Sequence, residues 1–150
     1  MEIQKIKEKD IHSLIDLYSH YLNEKEVPTL SKQTVQEIWD NIEDNPCINY
    51  FVGKLENTLV ASCILVITPS FIRGGKAFGV IEHVVVHSSH RRKGLAQELV
   101  CFAVEYAWQN GCTEVMLLSG SNNKNAHRLY EKLGFDKERK KGFIRFKPMC

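Results

Sequence analysis

Arg91-Arg92-Lys93-Gly94-Leu95-Ala96 stands between the apolar run Val84-Val85-Val86 and an amphipathic run over residues 95–109. A strand, a short basic loop with a glycine and then a helix start form a physical recipe for holding a pyrophosphate. The first N–H groups of a helix have no intrahelical partner, and the helix dipole adds partial positive charge there. Gly94 lets backbone approach a ligand with no Cβ in the way. Arg91, Arg92 and Lys93 surround that point with cations. By itself the segment also reads as a solvated basic turn.

A second segment lies downstream, after another strand-like run. It reads Asn123-Lys124-Asn125-Ala126-His127-Arg128-Leu129-Tyr130-Glu131-Lys132-Leu133-Gly134-Phe135. The basic loop resembles the acyl-CoA loop of the GNAT acetyltransferase family: Gln or Arg, two residues, Gly, one residue, then Gly or Ala. Here those positions are Arg91, Gly94 and Ala96. The later segment resembles the same family's Asn, two residues, Ala, two residues, Leu-Tyr, three residues, Gly-Phe motif. The resemblance covers residues 48–146. The first 45 or so residues match the family only in general plan.

The chain has 150 residues, which suits one domain with a real core. Its 43% hydrophobic and 25% charged residues place it among ordinary globular proteins. A net charge of +2 argues against a general polyanion binder. The basic residues gather around positions 90–93 and 137–141, without the interleaved aromatics of a single-strand binder. No nucleic-acid partner is expected. No apolar run reaches transmembrane length and the start does not resemble a signal peptide, so no membrane partner and a cytoplasmic location are expected. Monomer and homodimer both stay open.

Five cysteines, at 47, 63, 101, 112 and 150, show no pair at metal or redox spacing. Cys63 and Cys101 sit in apolar patterns and read as small core residues. His83, His87 and His90 could share a helix face, but the valine-rich pattern around them is that of a strand. No metal site is expected.

Residues 3–6 alternate as a first strand. Asp10 is a plausible N-cap for a helix bearing Ile11, Leu14, Ile15, Tyr18, Tyr21 and Leu22. Pro28 breaks the chain. Ser31 can cap a second helix with Val35, Ile38, Trp39 and Ile42 on its buried stripe, ended by Asn45-Pro46. Residues 48–55 and 58–67 read as strands joined by a hairpin turn at Glu56-Asn57. A loop over 69–76 with Gly74-Gly75 precedes a strand over 78–86. The helix after the basic loop should bury Leu95, Leu99, Phe102, Ala103, Tyr106 and Ala107, and Gly111 should stop it. Residues 114–118 form a short strand, 125–133 a helix closed by Gly134, and the alternating 143–146 a final strand. There is no internal repeat, low-complexity tract or linker.

This order predicts an α/β fold: a single domain, residues 1–150, with a mixed sheet flanked by helices. The GNAT resemblance implies the same order, a mostly antiparallel sheet, and a splayed pair of parallel strands holding the cofactor. Those strands would end at Val86 and Leu118.

The resemblance also implies acetyl-CoA as acyl donor and a small-molecule amine as acceptor. Acyl transfer requires a base for the amine, stabilisation of the carbonyl oxygen and a proton for the leaving thiolate. Glu82 is the candidate base. Apolar neighbours would partly desolvate it and raise its pKa; alternatively it is an edge glutamate paired with a lysine or arginine. A regular strand would put Glu82, Val84 and Val86 on one face and Ile81, His83 and Val85 on the other. Tyr130 is the candidate acid, since a phenol can donate to a departing thiolate; the alternative is a core tyrosine. Asn123 would bind the cofactor arm through its side chain, with Asn122 or Asn125 as substitutes, and Ala126 and Tyr130 would border it. Val84, Val85 and Val86 would pair with the arm through their backbone. Leu95 and Ala96 complete the pyrophosphate turn. His83 is either a second base or structural, and His87 is equally open.

Phe71-Ile72-Arg73-Gly74-Gly75-Lys76, with Gly79-Val80-Ile81-Glu82-His83 after it, is similar to glucosamine 6-phosphate N-acetyltransferases. Val80 stands where those have His, and His83 where they have Asp. An amino sugar phosphate is therefore one specific acceptor among small amines. Two other readings remain: a non-catalytic acyl-CoA-binding sensor of the same fold, and a transferase acting on protein or peptide amines.

Overall fold

The computed structural model describes residues 1–22 and 30–147. The chain divides into two compact units, Met1–Leu117 and Leu118–Cys150. The expected break at Pro28 lies outside the described residues.

The first unit is built on a five-stranded sheet in the order β1 (Glu2–Lys5), β2 (Ile48–Leu55), β3 (Thr58–Thr68), β4 (Ala77–Val86) and β5 (Cys112–Leu117). Every pairing is antiparallel except β4 with β5. Glu56 and Asn57 join β2 to β3 with φ of 47° and 67°. Two successive positive φ values are what a two-residue hairpin of matching twist requires. The loop before β4 holds a short 3₁₀ turn, Arg73–Gly75, and the Arg73 guanidinium meets the Glu114 carboxylate at 2.8 Å.

Three helices cover the sheet: α1 (Ile11–Tyr21), α2 (Lys32–Ile42) and α3 (Leu95–Gln109). Phe51 and Val52 are neighbours on β2 and both are wholly buried. The Phe51 ring meets Phe102 and Tyr106 of α3, each with centroids 5.1 Å away. Val52 packs with Leu14 and Leu17 of α1. Alternating side chains thus fill two cores on opposite faces of one sheet.

Ser31 caps α2 as its residue type suggests, its Oγ accepting from the Thr34 N–H at 3.0 Å. Gly111 ends α3 at φ 79°. Asp10 does otherwise. A 3₁₀ turn, Glu8–Asp10, precedes α1, and the Asp10 side chain does not cap that helix. It accepts from the Lys7 N–H and meets the Lys54 ammonium at 2.7 Å, with both side chains buried. A buried carboxylate with a cation in reach makes an ion pair rather than a cap.

Three burial expectations change. Cys101 and Phe102 are exposed on α3, whereas Val100 is fully buried there and Cys112 is buried at the start of β5. The core stripe of α3 runs through Leu95, Leu99, Val100, Ala103 and Ala107. Ile38 is also largely exposed on α2.

In the second unit α4 (Lys124–Lys132) is capped by Asn123, whose Oδ1 accepts from the Ala126 N–H at 3.2 Å. Gly134 follows at φ 86°, and the Tyr130 ring meets Phe135 edge-on with centroids 6.0 Å apart. Residues 143–146 form no strand. Phe143, Ile144 and Phe146 are 92%, 76% and 77% exposed. Alternation alone does not make a strand; a ladder needs a partner, and the described residues of this unit contain no other strand.

Candidate active site

β4 carries the feature that organises the site. Its ladder to β3 runs in register from Phe78 to Glu82 and again at Val85 and Val86. Between Ile64, opposite Glu82, and Ser62, opposite Val85, the register shifts. His83 and Val84 therefore face only Cys63, which is a β-bulge, and His83 sits at φ 49°. A non-glycine residue at positive φ is uncommon and marks strain that the surrounding ladder enforces. The bulge overturns the simple alternation: Val85 and Val86 are both buried, while His83 is exposed.

On its other side β4 pairs with β5 only as far as Ile81 opposite Leu117. β4 continues to Val86, so Glu82 to Val86 present a strand edge that β5 does not cover. β5 itself ends at Leu117, so the pairing stops where that strand stops. Uncovered strand edges present N–H and C=O groups to anything that can pair as a further strand.

Glu82 lies on this edge, partly buried, and its carboxylate has no hydrogen bond or ion pair with any described residue. The lysine or arginine partner of the structural alternative is missing among the described residues. His83 turns its ring edge-on to Tyr18, with centroids 5.9 Å apart.

Past the strand, the chain makes a 3₁₀ turn at Ser88–His90 and enters the basic loop. Arg91, Arg92, Lys93 and Gly94 are all exposed, and Arg92 and Lys93 have no ion-pair partner among the described residues. Arg92 at φ 58° and Gly94 at φ 83° twist the backbone into the start of α3. No side chain caps that start, and a Cβ on Gly94 would meet nothing within 4 Å. A wide approach to uncapped first-turn N–H groups, with three cations beside it, fits a pyrophosphate. Leu95 is buried and anchors the turn, and Ala96 follows it half-buried.

The end of α1 ties down the beginning of this loop. The Tyr21 hydroxyl lies 2.8 Å from His87 Nε2, and the Arg91 guanidinium stands over the Tyr21 ring at 5.9 Å. Arg91 Nε also donates to the Val86 carbonyl at 3.1 Å. These contacts link Tyr21, His87 and Arg91, and sequence spacing gives no sign of them. Both ring nitrogens of His87 are engaged, since Nδ1 accepts from the Ser89 N–H at 3.3 Å.

In the second unit Asn123 begins α4 and Tyr130 is half-buried on it, two residues after the exposed Arg128. The Asn123 oxygen serves the helix cap, so capping and ligand binding would draw on the same side chain.

Two cysteines are chemically quiet. Burial pushes the Cys63 thiol up to about 12, and Cys112 is raised by the same cause. Among the described residues no group of three or more His, Cys, Asp or Glu is disposed to hold a metal, and no helix is long and apolar enough to cross a membrane.

Comparison with known proteins matches this geometry. The model of the acetyltransferase (GNAT) family fits residues 11–135. The chain is 33% identical over 136 residues to a glucosamine 6-phosphate N-acetyltransferase of Trypanosoma brucei brucei, covering 90% of this chain and 88% of that protein. A solved acetyltransferase of Trypanosoma brucei superposes with a TM-score of 0.83 at 33% identity, covering 97% of this chain and 99% of the other. The glucosamine-6-phosphate N-acetyltransferase of Arabidopsis thaliana shares the fold, with a TM-score of 0.83 at 24% identity over 97% and 98% of the two chains. The uncovered end of β4, the bulge and the uncapped basic entry to α3 thus belong to a chain of the GNAT acetyltransferase family, an N-acetyltransferase whose acyl donor is acetyl-CoA.

Proposed function

We propose that this chain moves an acetyl group directly from acetyl-CoA to the primary amine of a small molecule. The observation that carries the reading is the uncovered edge of β4 from Glu82 to Val86, continuous with the uncapped start of α3 at Gly94. The pyrophosphate would lie against the N–H groups of residues 92–96, with Arg91, Arg92 and Lys93 around it. The pantetheine arm would pair with Val84, Val85 and Val86 as an added strand, and Asn123, Ala126 and Tyr130 would also bind the cofactor. Acetyl-CoA supplies an acyl group already activated as a thioester.

Glu82 takes the proton of the attacking amine, directly or through one water. Its lack of a partner among the described residues supports this, because a carboxylate held by a lysine or arginine is a poorer base. A backbone N–H of the β4 edge donates to the carbonyl oxygen as it gains charge. Nitrogen forms its bond to the acyl carbon, the carbon–sulfur bond breaks, and Tyr130 gives its phenolic proton to the departing sulfur. The proton taken by Glu82 returns through solvent to Tyr130. The two units then serve one reaction as a single GNAT-type domain over residues 1–150. The family match across residues 11–135 supports that view.

The reading calls for neither a nucleic acid nor a membrane, and free thiols at Cys47, Cys63, Cys101 and Cys112 suit the cytoplasm. The relatives' names make glucosamine 6-phosphate the first specific acceptor to try. The test is acetyl-CoA-dependent thiol release measured across amino sugars, arylalkylamines, polyamines and peptide amines, with mass detection of each product. Acetyl-CoA binding without release on any amine would favour a sensor; release only on peptides would favour a protein-directed enzyme.

A further inference from the structure

We infer that His83 is a specificity-determining residue: its imidazole hydrogen-bonds a hydroxyl on the carbon next to the one bearing the acceptor's amine. This rests on the acetyl-transfer reading above and narrows its substrate class to vicinal amino alcohols. Among the described residues His83 is the one member of a strand with positive φ, at 49°. Glu56, Asn57, Arg73 and Arg92, the other non-glycine residues of that kind, lie in turns. A turn requires such a conformation, whereas a strand does not, and glycine would adopt it more readily than histidine. Strain of this kind persists where the surrounding structure enforces it, and it gathers at active sites and ligand clamps.

The bulge re-aims the side chain. A regular strand would put His83 on the face shared by Ile81 and Val85, both buried. At the bulge it is exposed instead, directly after the partly buried Glu82. Support for the ring comes from β3 and α1. Ser62 is wholly buried opposite Val85, at the far side of the register shift. The Tyr18 hydroxyl lies 3.3 Å from Ser62 Oγ, and the Tyr18 ring meets the His83 ring edge-on with centroids 5.9 Å apart. The imidazole therefore reaches solvent from a supported position, as a binding group requires.

Chemistry and spacing select the hydroxyl. A neutral imidazole carries one donor and one acceptor nitrogen, and a hydroxyl likewise gives one hydrogen and accepts others. Glu82 takes the amine's proton in the reading above, and successive Cα atoms stand about 3.8 Å apart. Two groups on neighbouring carbons of one acceptor can therefore meet two neighbouring residues of one strand, the amine at Glu82 and the hydroxyl at His83. A second base at His83 would serve every amine alike, and a purely structural ring would distinguish none. A ring that binds the hydroxyl favours one of two amines that differ only in that group.

The test compares trans-2-aminocyclohexanol with cyclohexylamine, which differ by one hydroxyl, in the wild type, His83→Ala and His83→Gly. Both variants lack the ring, and only glycine relieves the positive φ. The hydroxyl also lowers the basicity of its neighbouring amine, equally for all three proteins, so the change in the ratio of the two kcat/KM values on substitution is what decides. Loss of one hydrogen bond should lower that ratio, amino alcohol over plain amine, roughly 2- to 10-fold in both variants. His83→Gly should melt above His83→Ala, the reverse of their usual order within a strand. An unchanged ratio in either variant overturns the inference and leaves acetyl transfer standing; so does His83→Gly melting at or below His83→Ala, which removes the strain. Should neither amine be acetylated, calorimetric binding of trans-2-aminocyclohexanol in the presence of CoA takes over. Binding that both variants weaken keeps the hydroxyl contact and overturns the transfer reading. No binding to the wild type, or binding that the variants leave intact, overturns the inference. If His83→Ala does not fold, the ratio in His83→Gly decides.

Discussion

The Tyr21 hydroxyl and His87 Nε2 meet at 2.8 Å across 66 residues of sequence, fastening the end of α1 to the strand exit that leads into the basic loop. His87 Nδ1 accepts from the Ser89 N–H, so in the neutral ring the hydrogen is on Nε2 and is donated to Tyr21. The same tyrosine ring lies under the Arg91 guanidinium. Tyr21 therefore helps to position Arg91 of the basic loop. Tyr21→Phe loses one hydrogen bond, worth about 0.5–1.5 kcal/mol, and should raise the Kd for acetyl-CoA roughly 2- to 10-fold. Tyr21→Ala loses the ring as well and should raise it further. In both variants kcat at saturating acetyl-CoA should stay close to wild type; a fall in kcat with unchanged Kd would contradict a positioning role.

Gly94 and Gly111 provide a paired control. Both sit at positive φ, 83° and 79°, and at neither would a Cβ meet an atom within 4 Å. Valine at either place should cost about 1–2 kcal/mol through its backbone alone. Their melting temperatures should fall alike, by roughly 2–8 °C for a chain of this size. Only Gly94→Val puts a branched side chain where the pyrophosphate would approach. Isothermal titration should show acetyl-CoA binding lost or greatly weakened in Gly94→Val and preserved in Gly111→Val. Equal retention of binding in both would remove the loop from the cofactor site.

How far such features could be read beforehand depends on whether their cause is local. The hairpin at Glu56-Asn57, the Ser31 cap and the Gly111 stop were legible because each needs only a residue type in a short window. The basic loop was legible through the family motif, whereas periodicity contains nothing about how far β5 runs beside β4. The bulge at His83 and Val84 arises from a shifted register with β3, so strict alternation misassigned the faces of Val85 and Val86. The link from Tyr21 to His87 joins distant parts of the chain. Cys101 was misread because an apolar helix window does not say which side meets the sheet; Val100, one position earlier, is the buried residue. Residues 143–146 alternate well, but alternation supplies no partner strand.

Direct transfer predicts that no thiol carries the acyl group. Cys63 is wholly buried and its thiol is held up to about 12, so at neutral pH it is neither reachable nor ionised. Burial raises Cys112 in the same direction. A folded variant with all five cysteines replaced by alanine or serine, alanine being used at Cys63, should keep turnover within a few-fold of wild type. Rapid quench with labelled acetyl-CoA should leave no label on the protein. A labelled cysteine that forms and decays as fast as product appears would establish a two-step route instead.

Glu82 and Tyr130 should separate by what each contributes to the transition state. A general acid or base is worth roughly 10²- to 10⁴-fold in rate. Glu82→Gln keeps the shape of the residue at the uncovered β4 edge and removes its basicity. It should lower kcat by about that factor. Tyr130→Phe loses one hydroxyl while its ring can still pack edge-on against Phe135. It should lower kcat with acetyl-CoA affinity nearly unchanged. The two differ in what restores them. An acceptor amine of lower pKa gives up its proton more readily, so it should partly rescue Glu82→Gln and leave Tyr130→Phe as slow as before. An acyl donor whose thiol is more acidic needs less protonation on leaving, so it should rescue Tyr130→Phe alone. Near-normal kcat in both variants on the best acceptor, or rescue of both by the same change, would make these residues structural and move the chemistry elsewhere along β4.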